Sequence, residues 1–270
     1  MSYEIKIGDV FEKIKEIKDN SVDCIITSPP YFNLRDYQDD LQIGNEESKE
    51  EYIKNIVNVF QEVKRVLKDS GTVWLNLGDT YKKKELQLIP QRIAISLQDD
   101  GWIFRNNIIW HKPNAMPQNV KDRFVVDFEN IFLFTKSKKY NFEQQREKNK
   151  DNWGRRGVGK RNKNQSSMKN YIHSHEKNIK YGTQGRIKRS VWSVSTKAYK
   201  EAHFAVFPPQ LIETCILAGC PEGGLILDPF AGSGTTAGVA EKHNRNSILI
   251  ELNEDYEELI HKRVEKILLD

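Results

Sequence analysis

Seven short apolar stretches bounded by turn residues constrain this chain more than any other feature: Tyr3–Gly8, Val22–Thr27, Thr72–Gly78, Asn106–Lys112, Asn130–Thr135, Gly224–Phe230 and Asn246–Leu252. They are rich in Ile, Val, Leu and aromatics and do not alternate cleanly with polar residues. A strand with one wet face alternates, whereas a continuous apolar strand needs cover on both faces. Helical patterns between the stretches supply that cover. Tyr52–Leu67 sets Tyr52, Ile56, Val59, Phe60, Val63, Val66 and Leu67 on one face, and Asp69-Ser70-Gly71 is expected to end it. Leu86–Leu97, Pro209–Leu217, Thr235–His243 and Asp255–Leu269 follow the same pattern. Strands alternating with helices predict an α/β fold, a doubly wound, mostly parallel, seven-stranded sheet.

The 270 residues suffice for one large α/β domain, or for a smaller domain with an insertion. From Lys138 to about Lys188 the strand–helix rhythm breaks into Asn, Gln, Lys, Arg and Gly with isolated aromatics at Tyr140, Phe142, Trp153, Tyr171 and Tyr181. We therefore expect a main domain from residues 1–137 and 191–270 with an insert at 138–190. Charge divides at the same place. Lys136–Ser190 holds 17 basic and 4 acidic residues, while the remainder is net −9. An acidic body with a basic insert is the electrostatic footprint of a polyanion binder, although a solvated surface loop would have the same composition. Three cysteines, Cys24, Cys215 and Cys220, without metal-ligand spacing exclude a disulfide scaffold and read as small core residues. No apolar run approaches the ~20 residues that span a bilayer, and MSYEIKIGDV carries no signal-peptide pattern. A cytoplasmic protein is expected, with no membrane partner.

Two loops at strand ends carry chemistry. The first, Asp228-Pro229-Phe230-Ala231-Gly232-Ser233-Gly234-Thr235-Thr236, follows an apolar strand and opens a helix, the place where open α/β sheets bind ligands. Glycines admit a ligand close to the backbone, and the helix start offers N–H donors. A pyrophosphate site would want a third glycine and no carboxylate at the strand end; Asp228 suits an ammonium group instead. The next strand ends at Glu251, 23 residues on, where an acid can accept from two ribose hydroxyls. A ligand with an amino group, a ribose and no phosphate is S-adenosyl-L-methionine. A tight strand–helix turn with two incidental acids is the plainer alternative.

The second loop is Thr27-Ser28-Pro29-Pro30-Tyr31. Its prolines remove N–H donors, so the loop presents carbonyls beside the Ser28 hydroxyl and the flat face of Tyr31. Such a pocket fits a planar amino group. Acceptors that draw its hydrogens out of plane free the nitrogen lone pair for an electrophilic methyl. An ordinary Ser-Pro-Pro turn is the alternative here.

Together the loops resemble the amino-group DNA methyltransferases, whose signatures are (Asp/Ser/Asn)-Pro-Pro-(Tyr/Phe) and Phe-x-Gly-x-Gly. Ser28–Tyr31 precedes Phe230–Gly234 with the basic insert between them, an order similar to the permuted beta subgroup. The resemblance covers nearly the whole chain and includes Gly8-Asp9, Asn76-Leu77-Gly78-Asp79 and His203–Pro208. It implies a Rossmann-like methyltransferase sheet in which Asp228 binds the cofactor's α-amino group, Phe230, Gly232 and Gly234 shape its pocket, Glu251 holds the ribose and Asp9 the adenine. It implies further that Ser28 and the Pro29 carbonyl, with Pro30 stiffening the loop, hold the target amino group while Tyr31 stacks on the base. The substrate would be double-stranded DNA with the target nucleotide flipped out, and the insert would be the target-recognition region. Arg155, Arg156, Lys160 and Arg161 in that insert are the expected backbone contacts. A cognate restriction endonuclease and a homodimer are the partners such an enzyme would have.

Gly154–Arg161 superficially matches a phosphate loop but lacks the Ser/Thr after Lys160 and any preceding strand. His173 and His175 have no third ligand at familiar spacing, so no metal is expected. None of the cysteines follows a proline, which disfavours C5 methylation. In the resembled family a Ser in the first loop position goes mostly with N4 of cytosine and an Asp mostly with N6 of adenine, so the resemblance implies N4-cytosine through Ser28, with N6-adenine as the alternative. Two other classes stay open, a methyltransferase for RNA or protein and a DNA-binding protein without catalysis; the loop order and the intact motifs count against them.

Overall fold

The computed structural model describes residues 2–34, 39, 41–148, 185–196 and 207–270. The described chain divides into two compact units, Met1–Glu143 with Ser190–Asp270, and Gln144–Arg189. In the smaller unit the described structure is a two-residue ladder in which β8 (Arg146–Glu147) pairs antiparallel with β9 (Arg186–Ile187), and Arg186 Nε bonds Glu147 Oε1 at 2.7 Å. Arg155, Arg156, Lys160, Arg161, His173, His175 and Gly154–Lys160 all lie outside the described residues.

The larger unit is built on an eight-stranded sheet. Its strands are β1 (Tyr3–Ile7), β2 (Val22–Thr27), β3 (Leu67–Leu77), β6 (Ile103–His111), β7 (Phe128–Thr135), β10 (Val191–Ser193), β11 (Leu225–Asp228) and β12 (Asn246–Glu251), in the order β1-β12-β11-β2-β3-β7-β6-β10. All seven expected strands form, and β10 adds an edge strand parallel to β6. Only β7 runs against its neighbours β3 and β6. A separate short hairpin joins β4 (Tyr81–Lys82) to β5 (Glu85–Leu86).

Helices cover both faces, which is why the strands are apolar throughout. On one face α2 (Lys49–Val66) and α3 (Ile89–Asp99) pack on Ile25, Val73, Leu75, Leu77, Phe132 and Phe134. On the other, α4 (Pro209–Gly219) and α5 (Thr235–Lys242) pack on Cys24, Ile26, Trp74, Ile131, Leu133 and Ile226. Neighbouring residues of one strand thus enter different cores. The helix α6 (Tyr256–Leu269) closes over α5 and β12 through Ile260, Val264 and Leu249. The three cysteines are buried and form no disulfide, as small core residues should be. No helix among the described residues is long and apolar enough to cross a membrane.

Two local expectations need correcting. Helix α2 meets the expected Leu67 end to within one residue, but Asp69-Ser70-Gly71 is not what stops it. It ends at Val66, and Leu67 turns to extended backbone because it is buried and paired with Val22 in β3. A further helix, α1 (Val10–Lys13), joins the expected set; it is four residues long and capped by the Asp9 side chain.

Candidate functional site

A cleft of about 1320 Å³ opens at the ends of the central strands. Its walls are the segments that follow parallel strands: Gly8–Val10 after β1, Ser28–Tyr31 after β2, Asn76 at the end of β3, Pro229–Ser233 after β11 and Glu251–Glu254 at and after β12. The two loops picked out in the sequence lie 200 residues apart in the chain, and β11 pairing with β2 brings them side by side. This is the ligand-binding edge of a doubly wound sheet.

On the β11–β12 side the loop is tied in place by its own backbone. Ala231 N donates to Ile250 O at 2.9 Å, and Gly232 N donates to Glu251 Oε2 at 2.7 Å. The other Glu251 oxygen accepts from Asn253 N at 3.1 Å. Burial pushes the Glu251 carboxyl up to about 7, against the pull of those amides and with help from the charge of Asp228. Asp9 lines the same wall; Phe11 N and Glu12 N both reach its Oδ1, at 2.9 and 3.3 Å, which leaves Oδ2 to the cleft. Phe230 and Gly232 line it too.

Asp228 and Gly234 are placed differently from expectation. The Asp228 side chain is fully buried beneath the loop and does not line the cleft: Thr236 Oγ1 donates to one oxygen at 2.6 Å and Phe230 N to the other at 3.1 Å. Burial raises its pKa to about 6 despite those bonds. It braces the loop onto α5 instead of facing an ammonium group. Gly234 is likewise a packing residue, left-handed at φ +78°, where an added Cβ would come within 2.6 Å of Ile260 Cγ2.

On the β2 side Tyr52 Oη donates to the Pro30 carbonyl at 2.8 Å, and Leu34 N donates to the Tyr31 carbonyl at 3.2 Å. The two carbonyls after Pro29 thus each already accept one hydrogen bond. The Tyr31 ring lies against Gly78, where a Cβ would meet Cε2 at 2.6 Å, so the glycine makes room for the ring. Ser28 Oγ donates to Tyr31 Oη at 3.3 Å, and Tyr31 Oη donates to Glu129 Oε2 at 2.8 Å. Burial, then the neighbouring Glu129 charge, holds the Tyr31 phenol well above its ordinary pKa. Asn76 Nδ2 donates to the same Glu129 oxygen at 3.1 Å, and Lys112 Nζ pairs with the other. Lys112 sits over the Trp110 ring, 4.4 Å from its centroid.

Sequence reasoning missed Glu129, Lys112 and Tyr52. Glu129 had a usable signal. It is an acid at the head of an apolar stretch, and the head of an antiparallel strand faces the same edge as the tails of parallel ones.

Lys112 is the only Lys or Arg among the described residues lining the cleft, and it is already paired; the acids there are Asp9, Asp39, Glu129, Glu251 and Glu254. An acid-rich cleft of this kind disfavours a phosphate and fits a ligand that carries positive charge.

Comparison with known proteins gives a consistent picture. Residues 22–262 match a family model described as DNA methylase. The type II methyltransferase M.SmaI of Serratia marcescens is 37% identical over 292 residues, covering 97% of this chain and 91% of its own. M.XycI of Xanthomonas campestris pv. cyanopsidis, also a type II methyltransferase, is 39% identical over 287 residues, covering 96% and 86%. Among solved structures, the PvuII DNA methyltransferase (cytosine-N4-specific) shares the fold with a TM-score of 0.70 at 20% identity, covering 100% of this chain and 93% of that one. The M1.HpyAVI–SAM complex does so with a TM-score of 0.62 at 22% identity, covering 97% and 98%.

Proposed function

This chain belongs to the DNA methylase family, and we propose that it is the modification enzyme of a type II system, methylating the N4 amino group of a flipped cytosine in double-stranded DNA with S-adenosyl-L-methionine as donor. The observation that carries this reading is the single cleft in which an acid-lined wall, with Glu251 and Asp9, faces Ser28 and Tyr31. The donor set fits the cofactor: carboxylates for hydroxyls and an amine, the Phe230 ring and Ile250 for an apolar moiety, and no unpaired Lys or Arg among the described lining residues to call for a phosphate. When bound, the cofactor supplies a methyl group made electrophilic by a sulfonium.

The chain's own residues do the rest. Ser28 Oγ and the Pro29 carbonyl accept the two hydrogens of the target amino group, and the Tyr31 ring stacks on the base. Flipping costs a few kcal/mol, which phosphate contacts made by the basic insert offset. Once it has gained the methyl group the amino nitrogen is positively charged and loses its proton readily to water, so no strong base is required of the site. Ser28 stands where the family mostly carries Ser for cytosine N4 and Asp for adenine N6, which supports cytosine, in keeping with the cytosine-N4 specificity of the PvuII enzyme that shares the fold. The type II relatives support a cytoplasmic enzyme working beside a cognate endonuclease.

The test is mass spectrometry of nucleosides from DNA incubated with the protein and S-adenosyl-L-methionine. N4-methylcytosine is expected. N6-methyladenine would retain family and cofactor but remove Ser28 as the selector of the base. No methylated nucleoside would overturn the reading.

A further inference from the structure

A serine hydroxyl donates as readily as it accepts. Ser28 alone would therefore welcome a ring carbonyl as well as an amino group, and a flipped thymine or guanine as well as cytosine or adenine. The residues around it remove that ambiguity. Glu129, as a carboxylate, can only accept, so the Tyr31 hydroxyl must donate to it. The Tyr31 oxygen then has lone pairs to offer and takes the Ser28 hydrogen. With its one hydrogen spent on Tyr31, Ser28 has only lone pairs left for the cleft.

Glu129 is held for this task from two other sides. Asn76 Nδ2 bonds the same oxygen as Tyr31 and is itself fixed by Asn130 O at 3.1 Å. Lys112 pairs with the other oxygen, and both side chains of that pair are largely buried. The hydroxyl of Tyr31 is not needed for stacking, which a phenylalanine would do as well, so its place between Ser28 and Glu129 calls for a separate purpose.

We propose that Glu129 is a positioning residue that orients the hydroxyls of Tyr31 and Ser28 in one direction, so that the site accepts from an exocyclic amino group and turns away a ring carbonyl. This rests on the reading of Ser28 as the group that receives the target base.

Substitution can reverse the relay or cut it. In Glu129→Gln one amide oxygen must serve either Lys112 or Tyr31. The cation takes it, and the amide N–H₂ then donates to Tyr31, sending the Tyr31 hydrogen to Ser28 and the Ser28 hydrogen to the cleft. Tyr31→Phe removes the link altogether. The probes are two duplexes carrying the chain's own methylated site, located first by sequencing DNA that the wild-type protein has modified. One duplex keeps the target base. The other swaps its amino group for a carbonyl, deoxyuridine for cytosine or deoxyinosine for adenine. Equilibrium binding is measured in the presence of S-adenosylhomocysteine.

Wild-type protein is expected to prefer the amino duplex. Glu129→Gln should shrink that preference by roughly 10- to 100-fold, the worth of one hydrogen bond to a charged group. Tyr31→Phe should shrink it less, and the double variant should behave as Tyr31→Phe does, since Glu129 acts only through that hydroxyl. Calorimetric titration with S-adenosylhomocysteine checks that each variant is folded. An unchanged preference in Tyr31→Phe, or a Glu129→Gln effect that persists in the Tyr31→Phe background, would overturn the proposal. A wild-type protein that methylates DNA but shows no preference between the duplexes would overturn the role of Ser28 itself. Should Glu129→Gln not fold, Tyr31→Phe alone still decides.

Discussion

Asp228 and Glu251 are both acids at strand ends, 23 residues apart, and their surroundings set them to different tasks. Asp228 is sealed under its loop with both oxygens bonded. Asp228→Ala strands the Thr236 hydroxyl and the Phe230 amide and should cost about 1–3 kcal/mol, read from urea unfolding, while Asp228→Asn, which still accepts from the amide, should cost less. Glu251 faces the cleft and is raised to about 7, Asp228 to about 6. A carboxyl whose pKa is raised on folding binds its proton more tightly folded than unfolded. The stability this pair contributes is therefore full below the ordinary carboxylate range and is lost as pH rises through 6 to 7. Ligand binding has the opposite slope. Hydroxyl donors need the ionised Glu251, so affinity for S-adenosyl-L-methionine should tighten as pH rises toward and through 7 and level off above it. Calorimetric titration between about pH 5.5 and 8.5 checks this, with Glu251→Gln expected to bind more weakly and to lose most of the slope; a flat wild-type profile would count against the role of Glu251.

At the scale of elements, burial and pairing overrode local signals. Asp69-Ser70-Gly71 has the composition of a helix stop, yet the chain leaves α2 before reaching it because Leu67 can pair with Val22 and bury itself. The seven apolar stretches were legible because cover on both faces makes a strand apolar throughout. Their directions were not, since an apolar run reads the same either way; the reversal of β7 is what delivers Glu129 to the cleft. Helix α4 was legible from its periodicity, but its tight seat was not. Thr72 Oγ1 donates to Gly219 O at 3.1 Å, and an added Cβ at Gly219 would lie 2.3 Å from both Thr72 Oγ1 and Trp74 Nε1. Gly219→Ala must push α4 off β3 or break the Trp74–Thr72 bond of 3.1 Å. We expect a loss of about 1–3 kcal/mol or more, measured as a lower urea midpoint at unchanged slope.

At the scale of the whole molecule, acidic and basic residues are unevenly distributed along the chain. Among its described residues the cleft is rich in acid, which suits a cationic cofactor and, on the proposed reading, repels the phosphates of the DNA whose base enters it. On the proposed reading the attraction for DNA comes from elsewhere in the chain, and the charge of the sequence points to one segment. Lys136–Ser190 holds 17 basic residues against 4 acidic, while the rest of the chain is net negative. Neutralising Arg155, Arg156, Lys160 and Arg161 together should weaken DNA binding most at low salt. If all four meet phosphates, the slope of log affinity against log salt should become shallower by up to about 3.6, at about 0.9 per contact. Binding measured from about 50 to 200 mM salt reads that slope directly, and cofactor affinity in the same protein should not move. A slope equal to that of the wild type would take these four side chains out of the DNA interface. The attraction would then have to come from other basic residues, among which Lys82, Lys83 and Lys84 on the exposed β4–β5 hairpin are the next to neutralise.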